Sequence, residues 1–244
     1  MDTSMDTLVI VTGGSSGLGR ALLDTAPTDS TRVDISRSGH PDGDVTHLRA
    51  DLADPAAWSD VGARIADLVA SRAWERVTFI HSAGTLDPIG FVGETDADAV
   101  TANVLLNSAS GQVLGHRYLA AVRELDVRRE LVMISSGAAG KAVPGWSTYS
   151  AAKAAFDAWV AGVGVEQQQR GGVRILAVAP GVVATPMQET IRDTDEHDFP
   201  GVQRFRDLHD DGQLIDPVVA AGNLWTLLDD DSVSNGSRVD LRER

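Results

Sequence analysis

Short apolar runs alternate with longer stretches of helical spacing along the whole chain, and this alternation is its most constraining feature. The runs carry no regular polar–apolar alternation, which is typical of strands buried on both faces of a parallel sheet. We predict strands at 8–11, 32–36, 45–49, 77–80, 131–134, 173–178 and 238–241. We predict helices at 55–70, 98–125, 147–169 and 218–228, and a further helix that opens at 19–23. The pattern predicts an α/β fold with three layers, α/β/α, around a doubly wound parallel sheet.

The organisation and composition of the chain exclude several classes of protein. No repeat, low-complexity tract or linker divides the 244 residues, so we predict one domain over 1–244. The net charge of −14 argues against nucleic acid and anionic membranes as partners. Cysteine is absent, and the six histidines show no i, i+4 pair, so no metal site is expected. Residues 1–7 do not resemble a secretory signal, and no apolar run is long enough to span a membrane, so we expect a cytoplasmic protein.

A glycine-rich turn follows the first predicted strand and opens a helix. Within 12–19, Gly13 permits a tight turn, Gly17 lets the backbone approach a pyrophosphate, and Gly19 lets the helix pack on the strand. Free N–H groups at the helix start favour an anion. A flexible turn is the alternative, but the strand and helix on either side favour a Rossmann-like dinucleotide site. The residues predicted to bind the cofactor here are Gly13, Ser15, Ser16, Gly17, Leu18 and Gly19.

The end of the second predicted strand indicates which dinucleotide binds. Arg37 lies 20 residues beyond Gly17, where an arginine accommodates the extra phosphate of NADP. Asp34 lies inside the strand, and we expect its side chain to project away from the cofactor. The predicted cofactor is therefore NADP(H), although Arg37 as a solvated loop charge is the alternative. Asp51 and Leu52 are placed to contact the adenine; the alternative for Asp51 is a helix N-cap.

A tyrosine and a lysine four residues apart suggest acid–base chemistry. Tyr149 and Lys153 share one face of a predicted helix. A phenol with a pKa of ~10 is a poor catalyst near neutral pH, but a neighbouring ammonium lowers that pKa. Ser136, at the end of the fifth predicted strand, could hold a substrate carbonyl oxygen beside the phenol. An ordinary surface pair is the alternative, although only two tyrosines occur in the chain.

These motifs together resemble those of the short-chain dehydrogenase/reductase family, and the resemblance covers nearly the whole chain. Residues 12–19 resemble its TGxxxGxG turn, 149–153 its YxxxK motif, and Ser136 its catalytic serine. The resemblance implies that Asn103 completes a catalytic tetrad by holding a proton-relay water. It also implies a homodimer or homotetramer formed through the two long helices. Further cofactor contacts are implied for Ala83, Gly84, Pro180, Gly181, Val183, Thr185 and Met187, beside Tyr149 and Lys153.

The chain departs from the family where His81-Ser82 replaces the usual Asn-Asn before Ala83-Gly84. The missing asparagine normally braces the central strands and lines the cofactor cleft. Serine makes fewer hydrogen bonds, so cofactor affinity or local rigidity is affected. We expect His81 to be a structural residue at a strand end rather than a catalyst.

A narrower resemblance is to the sepiapterin reductase and benzil reductase group of this family. It rests on 136–139, 145–149, 185–188 and 236–240. It implies that Asp240 anchors the substrate, while Trp146 and Met187 form apolar walls beside Ser136 and Tyr149. The alternatives are a charged edge residue for Asp240 and ordinary packing for the other two. We expect 195–198 to form a mobile, solvated loop over the cleft.

The predicted activity is NADPH-dependent reduction of a small carbonyl compound, a ketone or vicinal diketone, with Tyr149 as the proton donor. One alternative is an NAD-dependent alcohol dehydrogenase. Another is a dinucleotide-sensing protein without catalysis, which is disfavoured because both Tyr149 and Lys153 are present.

Overall fold

A computed structural model describes residues 6–244, and these form one seven-stranded sheet in which every neighbouring pair of strands is parallel. The strand order is β3-β2-β1-β4-β5-β6-β7. This confirms the Rossmann-like α/β prediction. The strands are β1 (Thr7–Thr12), β2 (Thr31–Ser36), β3 (Thr46–Arg49), β4 (Arg76–His81), β5 (Arg128–Ile134), β6 (Arg174–Ala179) and β7 (Arg238–Asp240).

Helices cover both faces of the sheet. They are α1 (Gly17–Asp24), α2 (Ala57–Ala70), α3 (Ala97–Val104), α4 (Ser110–Val122), α5 (Ser147–Arg170), α6 (Pro186–Asp193), α7 (Val202–Asp210) and α8 (Pro217–Leu228). The predicted helix at 98–125 is interrupted, because one turn of π-helix, Leu105–Ala109, joins α3 to α4. The predictions missed α6 and α7, which are short, rich in charged residues and poor in apolar ones.

The five inner strands of the sheet are mostly buried on both faces, as their apolar runs predict, whereas the edge strand β3 is largely exposed. Alternate residues of β1 enter different cores. Leu8 and Ile10 pack on the side of α2, α4 and α5, whereas Val9 and Val11 pack on the side of α1 and α8. All four side chains are fully buried.

The strand order reverses at β1, which lies between β2 and β4. Connections that leave β1 and β4 therefore diverge to opposite sides of the sheet, and a crevice opens at the carboxyl ends of these strands. Residues 1–5, most of the stretch considered above for a secretory signal, lie outside the described residues. Within residues 6–244, no helix is both long and apolar enough to cross a membrane. The same residues contain no group of three or more histidine, aspartate or glutamate side chains arranged to hold a metal ion.

Candidate active site

A cleft of about 950 Å³ lies at the carboxyl ends of the strands. It is bordered by the segments that follow β1, β2, β3, β4, β5 and β6. The sequence-predicted site residues that line it are Gly13, Ser15, Ser16, Gly17, Leu18, Gly19, Arg37, Asp51, Leu52, Ala83, Gly84, Asn103, Ser136, Trp146, Tyr149, Lys153, Pro180, Gly181, Val183, Thr185 and Met187. Asp240 is the predicted site residue that the fold does not bring to the cleft wall.

The glycine turn has the geometry that a dinucleotide pyrophosphate requires. Gly13 and Gly17 have φ values of +74° and +53°, which residues with a Cβ rarely adopt. A Cβ on Gly19 would lie 2.3 Å from the carbonyl oxygen of Gly13, so only glycine permits this close packing. Ser16, the N-cap of α1, makes no side-chain capping hydrogen bond, and the first turn of α1 has no acidic residue. The N–H groups at the start of α1 therefore remain available to an anion, and the turn fits the cofactor.

Asp34 and Arg37 face different surroundings at the end of β2. The carboxylate of Asp34 is buried and accepts hydrogen bonds from the Gly14 N–H at 2.8 Å and the Ser36 hydroxyl at 2.6 Å. It does not line the cleft, so it holds the glycine turn from behind, as expected. Arg37 lines the cleft and is exposed, and no ion pair with it occurs among the described residues.

Asp51 lines the cleft beside Leu52 and does not cap a helix. Its Oδ1 accepts a hydrogen bond from the Ala53 N–H at 3.0 Å, within the turn that leaves β3. Asp54 makes the corresponding bond to the Ala56 N–H just before α2 begins. The N-cap alternative for Asp51 is therefore wrong.

Tyr149, Lys153 and Ser136 meet at the floor of the cleft. Tyr149 and Lys153 lie one turn apart on α5 and are both buried, while Ser136 follows the end of β5. The Lys153 Nζ lies 5.8 Å from the centroid of the Tyr149 ring and donates a hydrogen bond to the carbonyl oxygen of Ile134 at 2.8 Å. The amine is thus close to the ring, while its hydrogen bond goes to the β5 main chain.

Burial dominates the proton affinities of this pair. It raises the pKa of the Tyr149 phenol above its usual value, and a hydrogen bond with Ser136 opposes the rise. Burial lowers the pKa of the Lys153 ammonium to about 8, against the attraction of Asp157. The expected lowering of the phenol pKa is therefore wrong in direction for the chain without cofactor. At neutral pH the phenol is protonated and so able to donate a proton.

An aromatic wall stands beside the phenol. The Trp146 ring stacks on Phe199, with centroids 4.6 Å apart and planes 9° apart, and lies 5.8 Å from the Tyr149 ring. Phe205 packs against both Trp146 and Phe199 at 5.3 and 5.7 Å. Sequence reasoning missed the two phenylalanines, because Phe199 follows the exposed turn at 195–198 and Phe205 lies in α7, a helix that the sequence did not predict. The basic residues Lys141 and Arg204 also line this end and were missed.

Residues 7–196 match the family model described as short chain dehydrogenase. The chain belongs to this family. It is accordingly an oxidoreductase that acts on carbonyl or alcohol groups with a nicotinamide dinucleotide.

Characterised relatives are similar along almost their whole length. The benzil reductase ((S)-benzoin forming) of Bacillus subtilis is 29% identical over 245 residues, which cover 97% of this chain and 98% of that protein. The sepiapterin reductase of Bos taurus is 30% identical over 258 residues, covering 96% and 94%. The crystal structure of the KRED1-Pglu enzyme aligns with a TM-score of 0.81 at 28% identity, covering 96% of this chain and all of that one.

Two asparagines of this short-chain dehydrogenase, Asn103 and Asn107, are candidates for the proton-relay role that was expected of Asn103. Asn103 is buried and donates to the carbonyl oxygen of Asp87 at 2.7 Å. Asn107, in the π-helical turn, accepts from the Thr85 N–H at 2.9 Å and donates to the Thr85 carbonyl at 2.7 Å. It also donates to Oδ1 of Asn103 at 2.9 Å. The two side chains therefore form one connected chain of hydrogen bonds.

Asn107 is the asparagine beside the lysine. A Cβ built on Gly84 would lie 2.8 Å from Oδ1 of Asn107 and 3.6 Å from Nζ of Lys153. Both groups therefore border the same glycine. Sequence reasoning missed Asn107, although a second asparagine one turn after Asn103 was a visible signal.

His81 braces the ends of two neighbouring strands, β1 and β4. Its ring is fully buried, with Nδ1 3.1 Å from the Thr12 hydroxyl and Nε2 3.5 Å from the Ser110 hydroxyl. The Thr12 oxygen accepts from the N–H groups of Ser82 and Ala83 at 3.1 Å, so its own proton points to Nδ1. Burial, aided by the charge of Lys153, lowers the pKa of His81 to about 3, which keeps the ring neutral. His81 thus joins the ends of β1 and β4 to the start of α4.

Asp240 supports the cleft indirectly. It is nearly buried at the end of β7 and accepts from Nε of Arg242 at 2.9 Å and from Nη2 at 2.5 Å. These bonds lower the pKa of the Asp240 carboxyl. Arg242, not Asp240, lines the cleft. The structure does not bring the Asp240 carboxylate to the cleft wall, where direct contact with substrate was expected, because the Arg242 guanidinium holds it.

Proposed function

We propose that this short-chain dehydrogenase is an NADPH-dependent carbonyl reductase that takes ketones or vicinal diketones carrying aromatic groups. The observation that carries the proposal is the position of the Tyr149 phenol. It is buried and protonated at neutral pH, the Ser136 side chain lies near enough to oppose the rise of its pKa, and its ring lies 5.8 Å from that of Trp146. A proton donor beside an aromatic wall suits reduction of an aromatic ketone.

Arg37 supports NADPH over NADH as the cofactor. The only acidic side chain of β2, Asp34, is occupied by Gly14 and Ser36 and turned away from the cleft, so it is not free to bind a ribose hydroxyl. Arg37 offers an unpaired guanidinium at the cleft, which suits a phosphate. NADPH, when bound, supplies the hydride.

The remaining residues bind, orient and exchange the proton. Ser136 orients the substrate carbonyl oxygen, and Tyr149 donates the proton to it. Lys153 would hold the nicotinamide ribose, and its ammonium charge favours the developing phenolate. We assign support of the proton relay to Asn107, with Asn103 holding Asn107 from behind. Met187, Val183 and Thr185, which line the cleft, would hold the nicotinamide end of the cofactor.

The substrate class follows from the walls of the cleft. Trp146, Phe199 and Phe205 provide flat apolar surfaces, and flat aromatic substrates stack on such surfaces. The benzil and sepiapterin reductases that resemble this chain are named for substrates of this kind. Neutral diaryl or bicyclic carbonyl compounds are therefore the proposed substrates.

The decisive experiment measures loss of NADPH absorbance with benzil, sepiapterin and aliphatic ketones, each repeated with NADH. We expect turnover of at least one aromatic substrate, with a lower KM for NADPH than for NADH. A preference for NADH would favour the NAD-dependent alcohol dehydrogenase. Absence of turnover in either direction, combined with tight dinucleotide binding, would favour a sensing role.

Assembly and location stay predictions. The exposed residues of α5 between 147 and 165 are all uncharged, and they include Val165, as a subunit interface would favour. We propose a homodimer or homotetramer through this face, which light scattering of the purified protein would test. The single-domain organisation over 1–244 and the cytoplasmic location are proposed on the same terms.

A further inference from the structure

The end of β5, which carries Ser136 into the cleft, is tied to a charged pair behind the site. Ser135 donates its hydroxyl to Oδ1 of Asp157 at 2.5 Å. Arg238 donates from Nη2 to the carbonyl oxygen of Ser136 at 3.2 Å. Arg238 and Asp157 form an ion pair with each other, with 3.0 Å between Nε of Arg238 and Oδ2 of Asp157. Two successive residues of the catalytic segment are thus held by one carboxylate and its guanidinium partner.

Lys153 completes this arrangement one residue earlier on the strand. It donates to the carbonyl oxygen of Ile134 at 2.8 Å, and it lies one turn before Asp157 on α5. Asp157 is partly shielded, with 19% of its side chain exposed, so its charge is less screened than that of a surface carboxylate. Its attraction is the force that opposes the loss of the Lys153 proton on burial.

The other groups that face Lys153 do not provide this attraction. Tyr149 on α5 is neutral at working pH, and His81 on β4 stays neutral because its pKa is about 3. Asn107 on the π-helical turn and the Ile134 carbonyl on β5 carry no charge. Arg238 on β7 is a cation and acts against the ammonium. Asp157 is therefore the negative charge that balances Lys153 among the described residues around it.

We propose that Asp157, paired with Arg238, is a positioning residue that fixes the Ser136 end of β5 and stabilises the ammonium form of Lys153. Its importance for catalysis rests on the proposed reductase function. Neither residue borders the cleft, so each acts through Ser136 and Lys153 rather than on the substrate.

The charges of the pair predict opposite effects for two variants. Asp157→Asn keeps an acceptor for Ser135 but removes the negative charge, so the pKa of Lys153 should fall by roughly 0.5 to 1 unit. Arg238→Gln removes a repelling cation and leaves the carboxylate less neutralised, so the same pKa should rise by a few tenths of a unit, roughly 0.3. A purely structural role predicts no such opposition of sign. Both variants should lower kcat roughly tenfold, because the Ser136 hydroxyl loses its fixed position.

A readout without turnover is available because the chain has only two lysines, Lys141 and Lys153. In protein labelled with carbon-13 lysine, the ε-carbon signals can be titrated by NMR, and Lys141→Arg identifies the signal of Lys153. The alkaline limb of the kcat/KM profile should move in the same direction as this titration. If the wild-type chain reduces none of the carbonyl compounds, the proposed function fails, and the titration still tests the pair.

Two controls separate charge from geometry. Ser135→Ala removes the hydrogen bond to Asp157 but keeps both charges. It should therefore lower kcat and leave the pKa of Lys153 unchanged. Glu166→Gln removes an exposed carboxylate farther along α5, away from the cleft, and should change neither. The proposal is overturned if Asp157→Asn and Arg238→Gln shift the titration in the same direction, or no more than Glu166→Gln does. Where the Asp157 variant does not fold, the Arg238 and Ser135 variants decide the matter by the same criteria.

Discussion

Lys153 donates its hydrogen bond to the carbonyl oxygen of Ile134 at 2.8 Å rather than to the phenol one turn away. The amine is thereby held at the end of β5, 5.8 Å from the centroid of the Tyr149 ring. Because the pair is buried, the phenol keeps its proton and the ammonium is weakened to a pKa of about 8. The Tyr149 phenol is therefore already protonated and can donate a proton during reduction. The rate of carbonyl reduction should decline as the pH rises through about 8, because Lys153 then becomes neutral.

Replacing the phenol tests the proton donor directly. Tyr149→Phe removes the donated proton, and we expect turnover to fall by roughly 10²-fold or more while the Kd for NADPH changes little. Steady-state rates and a fluorescence titration with NADPH measure the two quantities. The other tyrosine is a matched control, because the Tyr118 hydroxyl donates to the Val77 carbonyl at 2.8 Å in the core. Tyr118→Phe should cost about 1 kcal/mol of stability and leave kcat unchanged. Near-normal turnover in Tyr149→Phe would assign the proton to another group.

Removing the guanidinium of Arg37 tests cofactor choice. We expect Arg37→Ala to raise the KM for NADPH roughly 10- to 100-fold, because a charged hydrogen bond to phosphate contributes about 1.5–3 kcal/mol. The KM for NADH should change less than twofold (roughly), since NADH lacks that phosphate. Arg64→Ala, at an exposed arginine of α2 outside the cleft, should change neither. Equal losses with both cofactors would place Arg37 elsewhere than at the 2′-phosphate.

The two asparagines of the π-helical region can be ranked by substitution. Asn107→Ala leaves the Thr85 N–H without its partner beside Lys153 and leaves the Thr85 carbonyl with only the long, 3.5 Å hydrogen bond from Asn103. We therefore expect kcat to fall roughly tenfold or more. Asn103→Ala removes a bond to the Asp87 carbonyl and should lower kcat by only about threefold. Rates should be compared with melting temperatures, so that lost stability is separated from lost catalysis. A larger loss in the Asn103 variant, at equal stability, would restore the relay role to Asn103.

The neutral ring of His81 makes the protein sensitive to acid. The pKa of His81 in the folded chain, about 3, lies below the usual histidine value of 6.5, so the unfolded chain binds a proton that the native chain excludes. Stability is therefore lost as the pH falls below 6.5, by about 2 kcal/mol between pH 7 and pH 5. His81→Asn should flatten this part of the curve, measured by urea unfolding at each pH.

An exposed histidine provides the comparison for His81. His209 lies on the surface of α7, and His209→Asn should follow the wild-type dependence on pH. If the His81 variant loses stability on acidification as steeply as the wild-type chain, another group carries the effect.

The sequence was informative wherever structure depends on neighbours along the chain. The apolar runs determine the buried strands, and glycines at 13, 17 and 19 determine the turn, because only residues without a Cβ fit there. The spacing of Tyr149 and Lys153 places both on one face of α5, since a helix returns to the same face every 3.6 residues or so. These features need no knowledge of distant contacts.

The sequence was uninformative where a side chain has competing partners. Asp240 could contact a substrate or a neighbouring residue, and folding brings it to Arg242. Asn103 and Asn107 are equivalent in sequence terms, and their separation depends on the π-helical turn and on Gly84. The aromatic wall required α7 to fold back over Trp146, which no local pattern records.

By itself, then, the sequence determined the parallel sheet, the dinucleotide turn and the identity of the Tyr149–Lys153 pair, because each is a local consequence of residue type and spacing. Only the tertiary structure decided which groups from remote segments meet: Lys153 with the Ile134 carbonyl, Asp157 with Arg238, and Asn107 with Gly84. Proton affinities and charge pairing depend on solvent exclusion and on distances between remote segments. Those distances are set when the chain closes, and no spacing along it encodes them.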